Sequence, residues 1–376
     1  MTTTQEMNKN AVYEVIDNLL DTISPDATRY DRKHMRKLFY TAALIAHDKP
    51  PTLDLKIMEK SLRELRIGFK TFAPWADERK IAVFGSARST EDSAEYQMAQ
   101  SCSADLVAAG FMVVTGAGPG IMEAANRGAG RANSFGVNIM LPFEQRANDY
   151  IHDDPKLVNF KYFFTRKVVF VKETDGVILF PGGFGTHDEG FETLTLVQTG
   201  KSDHRPIVMV EVPGSTYWRD WDRYVRTSLL DEGLISPADL ELYTIVDTVE
   251  DAVQHCVDFY RNFHSIRYIE GRLVVRIQHR PSEELLAQLN EEFSDIIVSG
   301  VIETCTPHRY EQDEAQTLSL HRLRMHFDQK HLGRLRSMID RLNQSVTEDQ
   351  AASQPHIKPI HGITPESTDG NGDGDE

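Results

Sequence analysis

The sequence predicts an α/β fold: a Rossmann-like doubly wound parallel sheet, with an N-terminal helical region before it and a small C-terminal α+β module after it. Two observations predict the sheet. Between residues 79 and 264, short apolar runs rich in β-branched residues alternate with helical stretches. Most of these runs do not alternate polar with apolar residues, as expected for strands that are buried on both faces.

Taken in order, the chain begins with a helical region over residues 1–78. Val12, Ile16, Leu19 and Ile23 fall on one helical face there, and we expect this region to serve packing or oligomerisation. The sheet domain follows at 79–264. Its predicted strands are 81–84, 111–115, 137–141, 177–180, 207–210 and 243–246.

The module predicted at 265–345 combines strands and helices. Residues 273–279 and 323–327 alternate as half-exposed strands do, and residues 283–293 and 329–342 have the pattern of amphipathic helices. The last segment, 346–376, is polar, acidic and rich in Pro and Gly. It is predicted to be a disordered acidic tail, because it cannot bury enough apolar surface to order itself.

Composition excludes several classes of protein. The 376 residues carry a formal charge of −16, of which the stretch from 348 to 376 supplies seven acids and one lysine, leaving −10 for the body. An acidic body without a basic stripe argues against nucleic acid as a partner. No apolar stretch approaches the roughly 20 residues of a membrane span, so no membrane partner is expected. The polar start lacks a signal peptide, so the cytoplasm is expected.

The three cysteines, Cys102, Cys256 and Cys305, are far apart and lack the paired spacing of zinc ligands or of a disulfide framework. We interpret them as small buried residues. His308, His321, His326 and His331 also predict no metal site, because a spacing of five keeps to neither a strand face nor a helix face. No metal and no cofactor are therefore expected.

Three glycine-rich loops follow predicted strands: Gly85-Ser86-Ala87-Arg88, Gly116-Ala-Gly-Pro-Gly120, and PGGFGTHDEGFE at 181–192. Glycine admits a backbone to close contact with a ligand, and the N–H groups of a helix N-terminus attract phosphate. Each loop alone is also consistent with an ordinary turn. A dinucleotide fingerprint and a P-loop both fit poorly in register, so together the loops favour another kind of phosphorylated ligand.

Acids follow the third loop. Asp188, Glu189 and Glu192 fall in the first turns of the predicted helix, where a carboxylate can simply complement the helix dipole. A carboxylate beside a phosphate site also suits a reaction that develops positive charge. Cleavage of an N-glycosidic bond passes through an oxocarbenium-like state that such a group stabilises while it orients water. Arg166 and Lys167, in NFKYFFTRKVVF, are either partners for this site or ordinary surface residues.

These motifs carry a resemblance. PGGFGTHDE matches P-G-G-x-G-T-x-x-E, and together with YFFTRK and GAGPGIMEAANRGA it resembles the LONELY GUY (LOG) family of nucleoside 5′-monophosphate phosphoribohydrolases, whose members have often been labelled lysine decarboxylases. The resemblance covers roughly residues 78–262. The flanking regions make the chain similar to longer bacterial nucleotide nucleosidases of the same superfamily.

The resemblance implies hydrolysis of AMP or a related nucleotide to free base and ribose 5-phosphate by a homo-oligomer. It implies that Arg166 and Glu189 are catalytic, with Glu192 and Lys167 as secondary candidates. The residues implied to bind phosphate or nucleotide are Gly182, Gly183, Gly185, Thr186, Gly85, Ser86, Gly118 and Gly120. His187-Asp188 and Phe163-Phe164-Thr165 depart from many short members, so a cytokinin precursor is not the expected substrate.

Two other functions stay open from the sequence. Molybdenum-cofactor carrier proteins resemble the same fold and phosphate loop, and a nucleotide sensor regulated through the C-terminal module is compatible with either function. A carrier has no need of the Arg166 and Glu189 pair, whereas a hydrolase does. Decarboxylation is not expected, because no residue stands out as the Schiff-base lysine that pyridoxal phosphate chemistry requires.

Overall fold

The computed structural model describes residues 7–141, 146–312, 314–347 and 350. Contacts divide the chain into two compact units, residues 1–63 and 64–376. The helices are α1 (Lys9–Ile23), α2 (Arg29–Asp48), α3 (Thr52–Phe72), α4 (Ala94–Ala108), α5 (Ile121–Ala129), α6 (Phe163–Glu173), α7 (Phe184–Gln198), α8 (Tyr217–Tyr224), α9 (Val249–Phe259), α10 (Glu283–Glu292) and α11 (Leu332–Gln344). The strands are β1 (Lys80–Phe84), β2 (Met112–Thr115), β3 (Ser134–Ile139), β4 (Leu157–Phe160), β5 (Gly176–Leu179), β6 (Ile207–Val210), β7 (Thr244–Val246), β8 (Phe263–Ile269), β9 (Arg272–Ile277), β10 (Ile297–Thr304) and β11 (His321–Phe327).

The first unit is helical. Side chains cap both of its complete helices: Asn8 accepts a hydrogen bond from the N–H of Ala11 at α1, and Thr28 accepts one from Asp31 at α2. Helix α1 buries Ile16 and Leu20. Helix α2 has no buried residue along its whole length.

The second unit contains a seven-stranded parallel sheet in the order β4-β3-β2-β1-β5-β6-β7. Strands β1, β2, β5 and β6 are buried along their whole length, which explains their unbroken apolar runs. The direction of winding reverses between β1 and β5, and ligands bind open α/β sheets at such a switch point. The predicted fold class is confirmed. The structure adds β4, which the sequence analysis missed, and β3 begins three residues earlier than predicted.

A four-stranded antiparallel sheet follows, in the order β10-β11-β9-β8. One face packs on α10 and α11 around Leu323, Met325 and Phe327. The prediction of half-exposed strands is confirmed for 323–327, where Arg324 is exposed and His326 half-buried, but it is wrong for 273–277, which is buried throughout. Arg276 of that strand and Arg322 of the neighbouring one are both buried, and both donate to the carboxylate of Glu311. A buried charge requires such a partner. The segment between β10 and β11, which carries Glu311, therefore covers the sheet at these arginines.

The predicted domain boundaries at 78, 264 and 345 stay predictions. Nearly all of the segment predicted to be a disordered tail, 346–376, lies outside the described residues. Within the described part of the chain, no helix is long and apolar enough to cross a membrane.

Candidate active site

The three glycine-rich loops meet at the carboxyl ends of β1, β2 and β5. The N–H of Ser86, in the first loop, donates to the carbonyl of Pro181 in the third at 3.0 Å. The carbonyl of Ser86 accepts from the N–H of Ile121 at 3.0 Å, at the end of the second loop. Ser86 therefore joins the three loops through its backbone, as expected at the switch point.

Two glycines are needed for this close approach. A Cβ on Gly120 would lie 2.3 Å from the Ser86 carbonyl oxygen, and Gly120 has a φ of 68°, which L side chains rarely adopt. A Cβ on Gly182 would lie 2.1 Å from Oγ1 of Thr186 and 3.0 Å from the Ser86 nitrogen. These glycines are packing requirements of the junction, in addition to any contact they make with a ligand.

The third loop leads directly into α7. The helix begins at Phe184, and the N–H of Thr186 donates to the Gly183 carbonyl at 3.0 Å. Thr186 is buried, whereas a side chain on Gly183 or Gly185 would meet nothing within 4 Å. The first N–H groups of a helix have no partner within it, so this end of α7 can hold an anion.

Arg166 is positioned by the start of α6. Glu64, which lies within α3, is only 1% exposed. Its carboxylate accepts from the Lys161 N–H at 2.8 Å and from the Thr165 hydroxyl at 2.6 Å. This anion satisfies donors at the N-terminus of α6 and complements its dipole, which fixes the turn that carries Arg166.

Arg166 and Glu189 are paired at the centre of the site. Nη2 of Arg166 lies 3.5 Å from Oε1 of Glu189, and both side chains are largely buried. Nη1 of Arg166 also lies 3.7 Å from where a Cβ on Gly116 would be, which places the guanidinium beside the second loop. Its Nε is buried without a hydrogen-bond partner among the described residues, so a donor is left for a ligand oxygen.

Burial changes the acid strength of this pair. It raises the pKa of Glu189 to about 7, although the charges of Lys167 and Arg166 act in the opposite direction. Burial likewise lowers the pKa of Arg166, against the attraction of Glu189, and the guanidinium stays protonated. A carboxyl group with a pKa near neutrality is a mark of functional sites.

Lys167 links the acids of α7. Its Nζ lies 2.7 Å from Glu192, 3.0 Å from Asp188 and 3.9 Å from Glu189. Burial alone lowers the pKa of Lys167, but its hydrogen bonds and the nearby carboxylates raise it. Glu189 lies in the second turn of α7 and is 4% exposed, so simple capping of the helix does not account for it.

A buried polar network that the sequence analysis did not recognise supports the second loop. Asn126 of α5 is fully buried, and its Oδ1 accepts from Thr115 at 2.8 Å and from Asn148 at 3.0 Å. Asn148 also donates to the Gly118 carbonyl, and Thr115 accepts from the N–H of Ala117. This network holds Ala117 at a φ of 59°, an unusual value for a residue other than glycine.

A second missed pair holds the third loop. The hydroxyl of Tyr217 donates to the Gly182 carbonyl and lies 2.7 Å from Nε2 of His187. Burial lowers the pKa of His187, so its ring is neutral near pH 7 and Nε2–H donates to the tyrosine oxygen. The departure of His187 from short family members was the sequence signal for this contact, but its partner lies 30 residues away in α8.

The structure thus brings together most of the predicted site residues. Arg166, Glu189, Lys167 and Glu192 form one charged cluster, and Gly85, Ser86, Gly120, Gly182 and Thr186 form the loop junction. The carbonyl of Gly118 accepts a hydrogen bond from Asn148, and Gly183 and Gly185 lie at the N-terminus of α7. Among the described residues, no group of three or more His, Cys, Asp or Glu side chains is arranged to hold a metal ion.

Comparisons with known proteins agree on one family. The family described as "Possible lysine decarboxylase" matches residues 122–256. A cytokinin riboside 5′-monophosphate phosphoribohydrolase of Mycobacterium tuberculosis is 31% identical over 182 residues, which is 47% of this chain and 92% of that protein. The protein of the same name from Mycobacterium marinum is 29% identical over the same shares.

A solved structure of a molybdenum cofactor carrier protein from Chlamydomonas reinhardtii is also similar. It is 18% identical, with a TM-score of 0.33, over 47% of this chain and 94% of that chain. A likeness at this level does not bear on whether the chain is a carrier.

Proposed function

The chain belongs to the LOG family of phosphoribohydrolases, and from this premise we propose that it hydrolyses the N-glycosidic bond of nucleoside 5′-monophosphates, releasing free base and ribose 5-phosphate. The observation that carries the proposal is the buried pair of Arg166 and Glu189, 3.5 Å apart beside the glycine-rich loops. A site that only held a phosphate would gain nothing from a buried carboxylate.

In the proposed mechanism, the N-terminus of α7 holds the 5′-phosphate. The backbone donors of Gly183 and Gly185 are next to open space, so no side chain blocks the approach of phosphate oxygens. Arg166 supplies charge and a free Nε donor. Binding energy from the phosphate then fixes the ribose against the carboxylate, which converts tight binding into a faster reaction.

Glu189 acts in its ionised form. As the glycosidic bond lengthens, positive charge develops on the sugar, and a carboxylate in a water-poor site stabilises that charge strongly. The same group accepts a hydrogen bond from the water that attacks the anomeric carbon. The attacking water adds its hydroxyl to the anomeric carbon of ribose 5-phosphate. The leaving base keeps the electrons of the broken bond and takes up the proton that the water loses.

The state of Lys167 opposes the family's older label. Pyridoxal phosphate chemistry requires a neutral lysine as nucleophile. Lys167, the lysine of this site, has a raised pKa and contacts three carboxylates, so it stays protonated. The Arg166 and Glu189 pair likewise favours a hydrolase over a carrier or a sensor, which have no bond to break.

We propose AMP-like nucleotides as the substrate class, the cytoplasm as the location and a homo-oligomer as the state. Exposed apolar side chains on the N-terminal helices support the last point. Val15 is 68% exposed, Leu38 60% and Tyr30 66%. Exposed apolar residues of this kind are typical of an interface, and the molar mass of the native protein from light scattering tests it. A monomeric mass would remove this part of the proposal.

The test of function is a panel assay. The full chain is incubated with purine and pyrimidine 5′-monophosphates, and free base and ribose 5-phosphate are quantified. We expect release from AMP and at least about a hundredfold lower kcat/KM for adenosine, which lacks the phosphate. Release of carbon dioxide from lysine, or tight binding of a phosphorylated pterin without release of base from any nucleotide, would reject the proposal.

A further inference from the structure

A separate groove lies at one edge of the four-stranded sheet. Its cavity volume is about 750 Å³, and it opens where β9 and β10 end and β11 begins. The pairing of His321 with Ile277 and of Thr304 with Leu323 brings these strand ends together. None of the residues of the proposed active site lines this groove.

The groove is lined by basic side chains. Six of its lining residues carry basic side chains, and in the described part of the chain no carboxylate lines it; the six are Arg280, His308, Arg309, His321, Arg322 and Arg324. The whole chain has 57 acids against 41 lysines and arginines. Four arginines along one concave surface are a local departure from the charge of the chain; three of them are paired with carboxylates, and the fourth, Arg280, is left to attract an anion.

The six groups differ in how many donors they have left. Arg322 is 1% exposed, and its donors are used by Glu311, Thr317 and Leu320, so it forms part of the wall. Arg324 pairs with Glu303, and Arg309 with Glu270. Both of those carboxylates line the adjoining cavity, which shares His308 and Arg324 with this groove, and Glu270 also lies 3.9 Å from Nε2 of His308.

Arg280 and His321 are the open donors. Both are exposed, and neither side chain makes a hydrogen bond or an ion pair with another described residue. Arg280 follows β9 and His321 begins β11, so they approach the groove from neighbouring strands. A guanidinium offers five donors in a planar fork that matches phosphate oxygens.

We propose that this groove binds a small molecule that carries several linked phosphate groups. Its basic side chains come from three separate segments, around residues 280, 304–309 and 321–324, so they are spread over more space than one phosphate fills. The volume falls in the range of small-molecule sites. Long nucleic acid is a poorer match, because the acidic surface beyond the groove repels it.

The test uses calorimetric titration of the full chain with inorganic tripolyphosphate. Saturating ribose 5-phosphate is present throughout, so that the proposed active site is already occupied. We expect binding at one site that weakens as salt rises from about 50 to 500 mM, because salt screens exposed charges. Arg280→Gln combined with His321→Gln should weaken it at least about tenfold. Arg29→Gln, which removes an exposed arginine outside the groove, should leave it unchanged.

Both groove positions are exposed and unbonded, so the double variant should fold, and its circular dichroism and melting temperature check this. Four results would overturn the proposal. They are no detectable binding, binding that appears only when ribose 5-phosphate is omitted, an affinity unaffected by the double variant, and orthophosphate binding as tightly as tripolyphosphate. A single-stranded RNA that displaces tripolyphosphate at lower concentration would make the groove a nucleic-acid site instead and would also overturn it.

Discussion

At the scale of single residues, the central feature is a carboxyl group whose ionisation is opposed by burial. Glu189 is 4% exposed, and its pKa is raised from 4.5 to about 7. The folded state therefore holds a proton that the unfolded chain releases at lower pH. Stability from this group is present below about pH 4.5 and is lost as the pH rises through about 7.

This linkage predicts a gain from neutralising the side chain. Glu189→Gln should raise the melting temperature relative to the native chain, and the difference should grow from pH 5 to pH 8. Thermal unfolding at several pH values measures it. Glu232→Gln, at an exposed turn position, is the matched control and should show no trend. A difference that shrinks with rising pH would mean that Glu189 is stabilised as an anion.

The same pKa predicts the pH dependence of the reaction. If the carboxylate form of Glu189 is the active one, kcat should fall about tenfold per pH unit below its midpoint and level off above it. A bound phosphate dianion disfavours a second negative charge, so the midpoint for kcat should lie above that for kcat/KM. A rate that rises toward acidic pH would assign Glu189 the role of a proton donor.

At the scale of elements, helix α6 depends on a side chain from α3. Glu64→Gln keeps the shape but weakens the acceptors for Lys161 and Thr165, which should cost about 1–3 kcal/mol of unfolding free energy. Because this turn carries Arg166, kcat should fall more than stability alone explains. Urea unfolding and initial rates measure both effects. Glu59→Gln, an exposed change on the same helix, should alter neither by much.

The loop junction offers a matched pair of glycines. Gly120 and Gly130 both have positive φ, 68° and 71°, so alanine is similarly strained at each. Only at Gly120 would the new Cβ meet another loop, 2.3 Å from the Ser86 oxygen. Gly120→Ala should therefore lower kcat/KM between about tenfold and a hundredfold, while Gly130→Ala should reduce stability with near-native activity per folded molecule. Equal losses of activity would mean that backbone strain, not loop contact, is responsible.

Sequence reasoning works best for elements whose signal is local. Strands β1, β2, β5 and β6 are continuous apolar runs, and helix α7 begins at Phe184, within the glycine-rich motif and just before the acids that indicate it. Strand β4 was missed because LVNF is short and alternates, and β10 because IVSGVIET is mostly exposed. The contacts of Glu64 with Thr165, of Asn148 with Asn126 and of Tyr217 with Gly182 join distant parts of the chain, so no local sequence pattern predicts them.

At the scale of the whole molecule, the antiparallel sheet shares its packing with the parallel one. A Cβ on Gly333 in α11 would lie 2.1 Å from the Ala238 oxygen, and Arg336 donates to the Arg205 carbonyl at 3.3 Å. Helix α11 therefore packs on the antiparallel sheet and also contacts Ala238 and Arg205, which lie just before strands β7 and β6 of the parallel sheet. A substitution that destabilises the antiparallel sheet should therefore lower the unfolding free energy of the parallel sheet as well.

The buried ion cluster of that sheet tests this coupling. Glu311→Gln leaves the buried Arg322 without its anion, while Arg276 keeps Glu314 at 2.7 Å, and this should cost about 3–5 kcal/mol. Glu303→Gln breaks only the exposed pair with Arg324 and should cost less than about 1 kcal/mol. Urea unfolding followed by tryptophan fluorescence, which reports on Trp218 and Trp221 near the parallel sheet, should shift as one transition. A separate early transition with these tryptophans unaffected would contradict the coupling.

The most direct measurement of the central claim compares AMP binding and single-turnover hydrolysis in the native chain and in Glu189→Gln. Because the loops and Arg166 hold the nucleotide while Glu189 acts on the developing sugar cation, we expect affinity to change by less than about tenfold and the hydrolysis rate to fall by about a hundredfold or more. Hydrolysis at the native rate in Glu189→Gln would contradict the account.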